Sequence, residues 1–539
     1  MTAIAVMAAM PIFGVRLIGR EGIAVLSLPL AAAIICILLS DLMWERPTFR
    51  GVRRLLSADQ QNEARKYSRA MSLFGVGAAI LLILFLMLLR PVIYGDSYEL
   101  VGSVVTLVAG LPALMLLCAS GGRRGYLRAR GGKAELMIAS FFQNVLLFIL
   151  PFLIGRILAG YGEKVDALLR TNSYSAVYGA IGAMIGMDVA CLVSFIILLV
   201  GSIKYRTTSF LTVRARGRGG YAFLSLDGLI PAGFLGIFLF DTWRYFHTAA
   251  AETAESAEEA GSIIEQTAEQ VTELAPQGGL LADWGGYMGV VFLPTLCLAV
   301  VLALPFLKAV FRIHARYQRD DRYAAQDRMA GMIRRLMILI FPISFMASGL
   351  AGAIVSLICA KPDDMLKGVF RLQAAGVPLL TALIVLSILF NKLGGKLAIL
   401  VAGAIGAIVH IVVVLLISRG GHGLYPYVIA HLAGIAVMLV VTAVLMSVSL
   451  SYRQEWMHGV AIPFLCAILA ALPSFALGGV FVGVIGEALT IILLSVVGLF
   501  LYMILLTLLH GITEYELYRI PGGKLFAGLS RVTGRNRWE

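Results

Sequence analysis

Charged residues are scarce in this 539-residue chain: Asp, Glu, Lys and Arg together make up only 14% of it, whereas soluble domains carry about a quarter. Hydrophobic residues make up 60%, and the mean hydropathy is +0.90. This composition excludes a protein whose main solvent is water. It predicts a chain that lies mostly inside a membrane.

Cysteine is also rare, and its placement excludes two kinds of structure. The six cysteines fall in or at the edge of apolar runs, and no two of them form a CxxC pair. A disulfide framework or a cysteine-based zinc site would need such spacings in polar segments. We therefore expect small, buried, apolar residues at Cys36, Cys118, Cys191, Cys297, Cys359 and Cys466.

Residues suited to catalysis are sparse outside the apolar runs. A membrane enzyme such as a glycosyltransferase or an acyltransferase needs a carboxylate pair or a His–Asp arrangement on a loop. The predicted outer loops hold only scattered Glu and Asp, and His247 and His422 stand alone. This argues against an enzyme, and we expect no catalytic residue, no cofactor and no metal site.

Apolar runs of about twenty residues recur from end to end, each long enough to cross the hydrocarbon core of a bilayer. The first run begins at Met1–Phe13, which lacks a basic lead-in and a small-residue cleavage site, so we expect it to belong to the membrane domain. The fold class predicted is an all-α polytopic membrane protein of about fourteen helices. They lie near residues 1–18, 22–43, 71–94, 101–118, 135–160, 176–203, 222–246, 286–309, 333–358, 371–394, 396–418, 424–450, 460–484 and 486–510.

The basic residues alternate along the chain, and this sets the expected orientation. Most of the 44 Lys and Arg residues lie in polar segments that follow even-numbered helices. Because basic loops stay in the cytoplasm, both termini are predicted to be cytoplasmic. We expect the positive charge to attract anionic membrane lipids rather than nucleic acid. The richest segments are Arg46–Arg69, Arg123–Lys133, Lys204–Arg218 and Lys308–Arg335.

The chain is predicted to contain two halves of similar size. Each half has a basic amphipathic connector after its second helix, ADQQNEARKYSRAM in the first and YAAQDRMAGMIRRLM in the second. Such internal repeats are the usual frame of alternating-access transporters. The predicted divisions are an N-terminal lobe at 1–219, a C-terminal lobe at 220–458 with an acidic, Ala-rich, helical outer insertion at 248–285, two further helices at 459–510 and a cytoplasmic tail at 511–539.

Five segments carry a family resemblance. VRLIGREGIAVLSLPL (Val15–Leu30) resembles the RIIGxEGIGLY signature of the polysaccharide-transport and stage V sporulation protein B flippases, and LHGITEYELYRIPGGKLFAGL (Leu509–Leu529) is similar to their closing ITEEDLxxLPGGKKLLxL. Between these ends, further matches occur in the family's order at Arg53–Leu73, Arg123–Asn144 and Pro294–Phe345.

The resemblance implies the multidrug/oligosaccharidyl-lipid/polysaccharide (MOP) exporter fold, in which two six-helix lobes surround a central cavity and two added helices shape a lipid groove. Relatives include the lipid II flippases of peptidoglycan synthesis. The expected function is therefore translocation of a polyprenyl diphosphate-linked saccharide, lipid II or a polysaccharide repeat unit, across the bacterial cytoplasmic membrane. Fixed cations are expected in the cavity, because an isolated charge inside hydrocarbon is costly.

Arg16 matches the arginine of the family's RxIG segment, where related flippases place cavity arginines for the diphosphate. Arg suits phosphate because its planar fork donates two parallel hydrogen bonds. The competing interpretation is that Arg16 and Arg20 only anchor helix one at the membrane interface. Glu21 is either their partner or an ordinary interfacial carboxylate.

Other polar residues inside apolar runs are also candidate cavity residues, because polar groups inside hydrocarbon are costly and tend to be functional. At the helix-five region, where relatives carry charged residues, this chain has Gln143, Asn144 and Leu147. His410 and His431 are predicted to be packing residues rather than proton carriers. The full set of predicted cavity residues is Arg16, Arg20, Glu21, Asp41, Gln143, Asn144, Asp188 and Asp227.

Two other functions compete with the flippase. A multidrug cation antiporter of the same fold would need an acidic cluster, which Asp41 and Asp188 could supply. A non-transporting scaffold of envelope assembly would be consistent with the neutral residues of helix five.

Overall fold

The structure is a computed structural model, and it describes residues 2–94, 101–170, 174–205, 229–263, 276–319, 321–359, 363–418, 423–450 and 454–512. Within these ranges the chain forms helices joined by short turns, without a β-strand. The predicted Asp227, the 219/220 lobe boundary, most of the Lys204–Arg218 segment and residues 513–539 of the predicted tail lie outside the described residues.

Contacts divide the chain into two compact units. Unit 1 comprises Met1–Gly289 and Val414–Gly423, and unit 2 comprises Val290–Val413 and Leu424–Glu539. The helices that begin in unit 1 are α1 Thr2–Leu39, α2 Arg46–Ser57, α3 Gln61–Tyr94, α4 Val101–Ala109, α5 Leu111–Arg130, α6 Lys133–Leu169, α7 Tyr174–Lys204, α8 Leu229–Ile263 and α9 Pro276–Gly286. Those that begin in unit 2 are α10 Leu293–Tyr317, α11 Arg322–Gly349, α12 Ala351–Ile358, α13 Asp364–Ala375, α14 Val377–Lys392, α15 Lys396–Ile417, α16 Tyr425–Leu450, α17 Ile462–Ile485 and α18 Glu487–Leu508.

Eleven helical stretches of the described chain are long and apolar enough to cross a membrane. One of them, Thr2–Ser57, contains two consecutive helices separated by a break at Gly19. The interrupted helix α4–α5 and helix α8 occupy two further predicted spans. The predicted fold class of an all-α polytopic membrane protein with about fourteen helices is confirmed.

The spans differ in what surrounds them. The second part of α1 is buried on all sides from Gly22 to Ile37, so it forms the centre of unit 1. A helix that is apolar all round is expected in such a position. By contrast, α3, α17 and α18 present large apolar side chains to the outside, such as Leu88, Val484 and Val496, as lipid-facing helices do. Five cysteines are buried, as predicted, whereas Cys297 is only half-buried.

Two glycines with positive φ lie at turns between consecutive helical segments. Gly19 has φ 78° and ψ 168°, and Gly486, between α17 and α18, has φ 80° and ψ 170°. This backbone region is almost exclusive to glycine. A Cβ added at Gly14 would lie 2.8 Å from the Ile23 side chain, although nine residues of straight helix span about 13.5 Å. The chain therefore folds back on itself at Gly19, as the predicted break between helices one and two requires.

The helices that contain the basic connectors are longer than predicted. The helix predicted to end at residue 118 continues to Arg130, and the one predicted at 71–94 begins at Gln61. A π-helical turn, Ser40–Glu45, joins α1 to α2 without a loop. Hydropathy locates only the apolar part of a helix, whereas an amphipathic end continues the same hydrogen bonding outside the hydrocarbon. The predicted helical conformation of the acidic insertion is confirmed as far as Ile263, where it continues α8.

Candidate functional site

A partly buried polar network lies inside unit 1, near the end that carries the basic connectors. The Arg124 guanidinium on α5 lies 3.6 Å from the Asp41 carboxylate in the π-helical turn. It also donates a hydrogen bond to the side-chain oxygen of Gln143 on α6, which accepts a second bond at 3.2 Å from the Ser194 hydroxyl on α7. The network therefore joins side chains from four segments of unit 1.

The side chains of this network are shielded from water, so their polar groups require partners within the protein. The Arg124 side chain is 14% exposed, and Gln143 and Ser194 are each 2% exposed. An arginine this far from water is retained only with charge and hydrogen-bond partners. Gln143, which looked like a neutral replacement in the sequence, thus acts as an acceptor for a buried cation.

A second ion pair lies one helical turn further along the same two segments. The Arg128 guanidinium lies 2.7 Å from the Glu45 carboxylate, and it also lies 5.9 Å from the ring centroid of Phe49 on α2. Glu45 interacts electrostatically with Asp41 and with both arginines. Two carboxylates four residues apart thus face two arginines four residues apart.

Two glycines of α5 allow this close contact. A Cβ on Gly121 would lie 2.7 Å from the Ser40 carbonyl oxygen, and a Cβ on Gly125 would lie 2.6 Å from the Glu45 carbonyl oxygen. Both distances are below those of real Cβ contacts, so a larger residue would push the two backbones apart. Small residues four apart commonly bring membrane helices together in this way. The GxxxG spacing at Gly121–Gly125 therefore positions Arg124 and Arg128.

Asp188 has a clear local role in the structure. Its carboxylate accepts a hydrogen bond of 2.6 Å from the backbone N–H of Ala113, at the start of α5 just after Pro112. Where a membrane helix is interrupted, the freed backbone groups need another partner. Asp188 supplies that partner from α7. Asn144 lies half-buried on α6, on a different face from Gln143 because consecutive helical residues point about 100° apart.

The other predicted residues lie at the Gly19 turn. Arg16 is exposed, whereas Arg20 and Glu21 are half-buried. Glu21 interacts electrostatically with Arg20 and with Asp166 of α6. Asp166 accepts backbone hydrogen bonds of 3.0 and 2.8 Å from Tyr174 and Ser175, so it caps the start of α7.

Helix α9 packs closely on this turn. A Cβ added at Gly285 would collide with the backbone carbonyl of Arg20. Five of the eight predicted residues lie in two places in unit 1: Arg16, Arg20 and Glu21 lie at the turn, and Asp41 and Gln143 join the network. Asn144 and Asp188 belong to neither place, and Asp227 lies outside the described residues.

The sequence interpretation missed four members of the network. Arg124 and Arg128 were assigned to a cytoplasmic segment, and neither Glu45 nor Ser194 was singled out. A signal for them was present in the spacing of Asp41 with Glu45 and of Arg124 with Arg128, since residues four apart share one helical face.

Unit 2 holds a different kind of buried polar group. The rings of His410 on α15 and His431 on α16 meet edge to face with centroids 6.3 Å apart, and His431 also contacts Phe292 at 5.2 Å. His410 is 2% exposed. Within the described residues no group of three or more His, Cys, Asp or Glu side chains is arranged to hold a metal ion. The two histidine rings thus pack against aromatic neighbours, and their role as packing residues rather than proton carriers stays a prediction.

Three solved structures are similar to this chain. An inward-facing multidrug resistance MATE family transporter of the MOP superfamily superposes with a TM-score of 0.54 at 12% identity, over 84% of this chain and 95% of that chain. The lipid II flippase MurJ in an inward closed conformation gives 0.48 at 12% identity, over 91% and 98%. A mutant of the Vibrio cholerae MATE transporter VcmN gives 0.46 at 14% identity, over 84% and 94%.

No protein-family model and no curated protein sequence matches the chain. The superposition shows that the chain shares the fold of that transporter, so the predicted MOP-type fold is confirmed. The eleven long apolar helical stretches support the predicted multi-pass membrane protein. The narrower polysaccharide-flippase branch stays a prediction.

Proposed function

We propose that this protein is a transporter of the MOP type that moves a polyprenyl diphosphate-linked saccharide across the cytoplasmic membrane by alternating access. The observation that carries the proposal is the presence of arginines at both ends of unit 1. Arg16 and Arg20 lie at the Gly19 turn, and Arg124 and Arg128 lie at the basic end. A diphosphate that crosses the membrane must be received at one face and released at the other.

The two arginine pairs suit different parts of such a cycle. Arg16 is exposed and can donate two parallel hydrogen bonds to a phosphate oxygen pair. Arg124 is enclosed by Asp41 and Gln143, so it is better suited to hold the α1–α5 contact in one state. We therefore assign phosphate binding to Arg16 with Arg20, and positioning to Arg124.

The added hairpin α17–α18 also supports a lipid-linked substrate. In the arrangement that the family resemblance implies, these helices are additional to two six-helix lobes. They expose a long apolar surface that includes Leu465, Val480, Val484 and Val496. A polyprenyl chain has to remain in hydrocarbon while its head group moves. An apolar surface on this hairpin gives the chain a path to follow.

A multidrug cation antiporter is the second candidate, favoured by the fold similarity to a MATE multidrug transporter. It requires acidic groups that are available to bind a cation. Asp41 is already paired with Arg124, and Asp188 accepts the Ala113 N–H, so neither carboxylate is arranged as an open cation site.

The test is a translocation assay in proteoliposomes that compares fluorescent lipid II, a second undecaprenyl diphosphate saccharide and a cationic dye. We expect movement of at least one lipid-linked saccharide and none of the dye. Movement of the dye alone, driven by an ion gradient, would establish the antiporter. If the folded protein moves none of the three, the transport proposal fails and the scaffold function takes its place.

A further inference from the structure

Unit 1 contains a cavity of about 510 Å³ that is separate from the Arg124 network. It lies where α3 begins and where α5 and α7 end. Its volume falls within the range of small-molecule sites in proteins. The lining side chains used below are Arg65, Lys66, Arg69, Arg123, Tyr126 and Ile203.

The cavity has an excess of positive charge. Four of its lining residues are cations, and its one carboxylate, Glu63, is paired with Lys66 at 2.9 Å. Arg69 and Arg123 both line the cavity, and their like charges interact electrostatically. Bringing two guanidinium groups together is unfavourable unless an anion joins them.

Two buried hydrogen-bond donors in the cavity also indicate an anionic ligand. The hydroxyl of Tyr126 and the Nε of Arg123 are both buried, and neither has a hydrogen-bond partner among the described residues. Tyr126 is only 2% exposed. Buried donors are nearly always satisfied in native structures, so each such group calls for an acceptor. Arg123 and Tyr126 are three residues apart on α5 and therefore share a face.

The exposed apolar side chains beside the cavity indicate that the anion belongs to a membrane lipid. Ile203 lines the cavity and is 59% exposed, and Leu73 and Phe74, on the next turns of α3, are 71% and 59% exposed. Such side chains face lipid in a membrane-spanning helix. The cavity thus lies where a positively charged protein end meets the lipid-facing surface, at the level of phospholipid head groups.

We infer that this cavity binds the phosphate head group of an anionic phospholipid. The phosphate accepts hydrogen bonds from Arg123, Arg69 and Tyr126, and the acyl chains run along the exposed apolar side chains of α3 and α7. Binding at this site orders the ends of three helices of unit 1. The inference is independent of the substrate that the protein transports.

Native mass spectrometry of the full chain, with phosphatidylglycerol or phosphatidylcholine added in detergent, tests this inference. We expect the wild type to retain phosphatidylglycerol in preference, and Arg69→Gln/Arg123→Gln to lose about a hundredfold in affinity, because each of the two charge-assisted hydrogen bonds is worth about a factor of ten. Arg322→Gln is the matched control, since Arg322 lines a cavity of unit 2, and we expect it to leave binding unchanged.

Two further measurements separate lipid binding from a structural role. Arg69→Gln alone removes the like-charge contact, so it should raise thermal stability in neutral detergent while reducing the stabilisation by phosphatidylglycerol. Tyr126→Phe removes only the hydroxyl and should weaken binding by a smaller factor. Equal retention of phosphatidylglycerol by wild type and the double variant would overturn the inference. Stabilisation by millimolar inorganic phosphate with no preference for phosphatidylglycerol would overturn the lipid assignment and leave a soluble phosphate site.

Discussion

The two units differ in whether their buried polar side chains carry charge. Among the described residues, the buried charged residues are Arg130, Asp166 and Asp241, and all three belong to unit 1. The buried polar groups of unit 2 are uncharged or are histidines, such as Ser344, Gln373, His410, Thr442 and Ser474. Polar groups inside a membrane protein are costly and tend to mark functional positions. The difference agrees with our proposal that charged ligands bind to unit 1.

The cavities repeat this contrast. Each lies beside one of the two basic connectors, but the cavity of unit 1 is lined by four cations. The cavity of unit 2 has a volume of about 280 Å³, and Arg322 is the only charged residue among its described lining side chains. If the halves arose from one repeat, charge was concentrated in the first.

The largest expected effect comes from separating the helices that hold the charges. Gly125→Leu places side-chain atoms where the Glu45 carbonyl now lies, so we expect a loss of more than about 3 kcal/mol or no folded protein. Gly479→Leu on α17 is the control, because a Cβ there meets nothing within 4 Å. Fluorescence-detected size-exclusion chromatography after heating measures both. Equal thermal stability of the two variants would refute the role given to the Gly121–Gly125 contact.

Breaking the charged network should have the next largest effect. Arg124→Gln leaves Asp41 and Gln143 without their cation and should cost about 2 kcal/mol, reduced from the value for a fully buried pair because Asp41 is partly exposed. Asp41→Asn in the same chain should recover part of the loss. A double-mutant cycle on melting temperature measures the coupling. Strictly additive effects would mean that the two side chains do not interact.

Substitution by alanine should destabilise the protein by similar amounts at Gly19 and at Gly486, although the two turns lie in different units. Alanine at either position must adopt a backbone conformation that costs about 1–3 kcal/mol, and neither site has a neighbour within 4 Å to add a clash. We expect Gly19→Ala and Gly486→Ala to lower the melting temperature by similar amounts. A large effect at Gly19 alone would show that this turn carries strain that its counterpart does not.

The smallest expected effect is in the buried histidine pair of unit 2. The Nε2 of His431 is buried without a hydrogen-bond partner among the described residues, and its ring packs on Phe292 and His410. Replacing such a group by an apolar one of similar shape is often neutral. His431→Phe should change stability by less than about 1 kcal/mol. Loss of transport with unchanged stability would instead make His431 part of the transport cycle and would end the contrast between the units.

The helices could be predicted from the sequence because each apolar run matches the thickness of a bilayer. The break at Gly19 was also predictable, since polar residues interrupt the first two runs there. The extensions of α3 and α5 were not, because their amphipathic ends lie outside the range that hydropathy detects.

The network was predictable only in part. Asp41 and Gln143 were chosen as polar residues in apolar surroundings, but their common partner Arg124 was assigned to a polar connector. Arg128 and Glu45 are separated by 83 residues, and periodicity along one helix says nothing about which helix lies opposite. The GxxxG spacing of α5 was the one local sign that this helix approaches another closely.

Lipid II translocation by proteoliposomes containing wild type, Arg16→Ala or Arg156→Gln tests the central claim most directly. Arg156 is the control because it forms an ion pair with Glu163 on the surface of unit 1, where both side chains are more than half exposed. The account predicts that wild type and Arg156→Gln move the lipid-linked saccharide and that Arg16→Ala, folded to the same melting temperature, does not. Translocation by Arg16→Ala at the wild-type rate would contradict it.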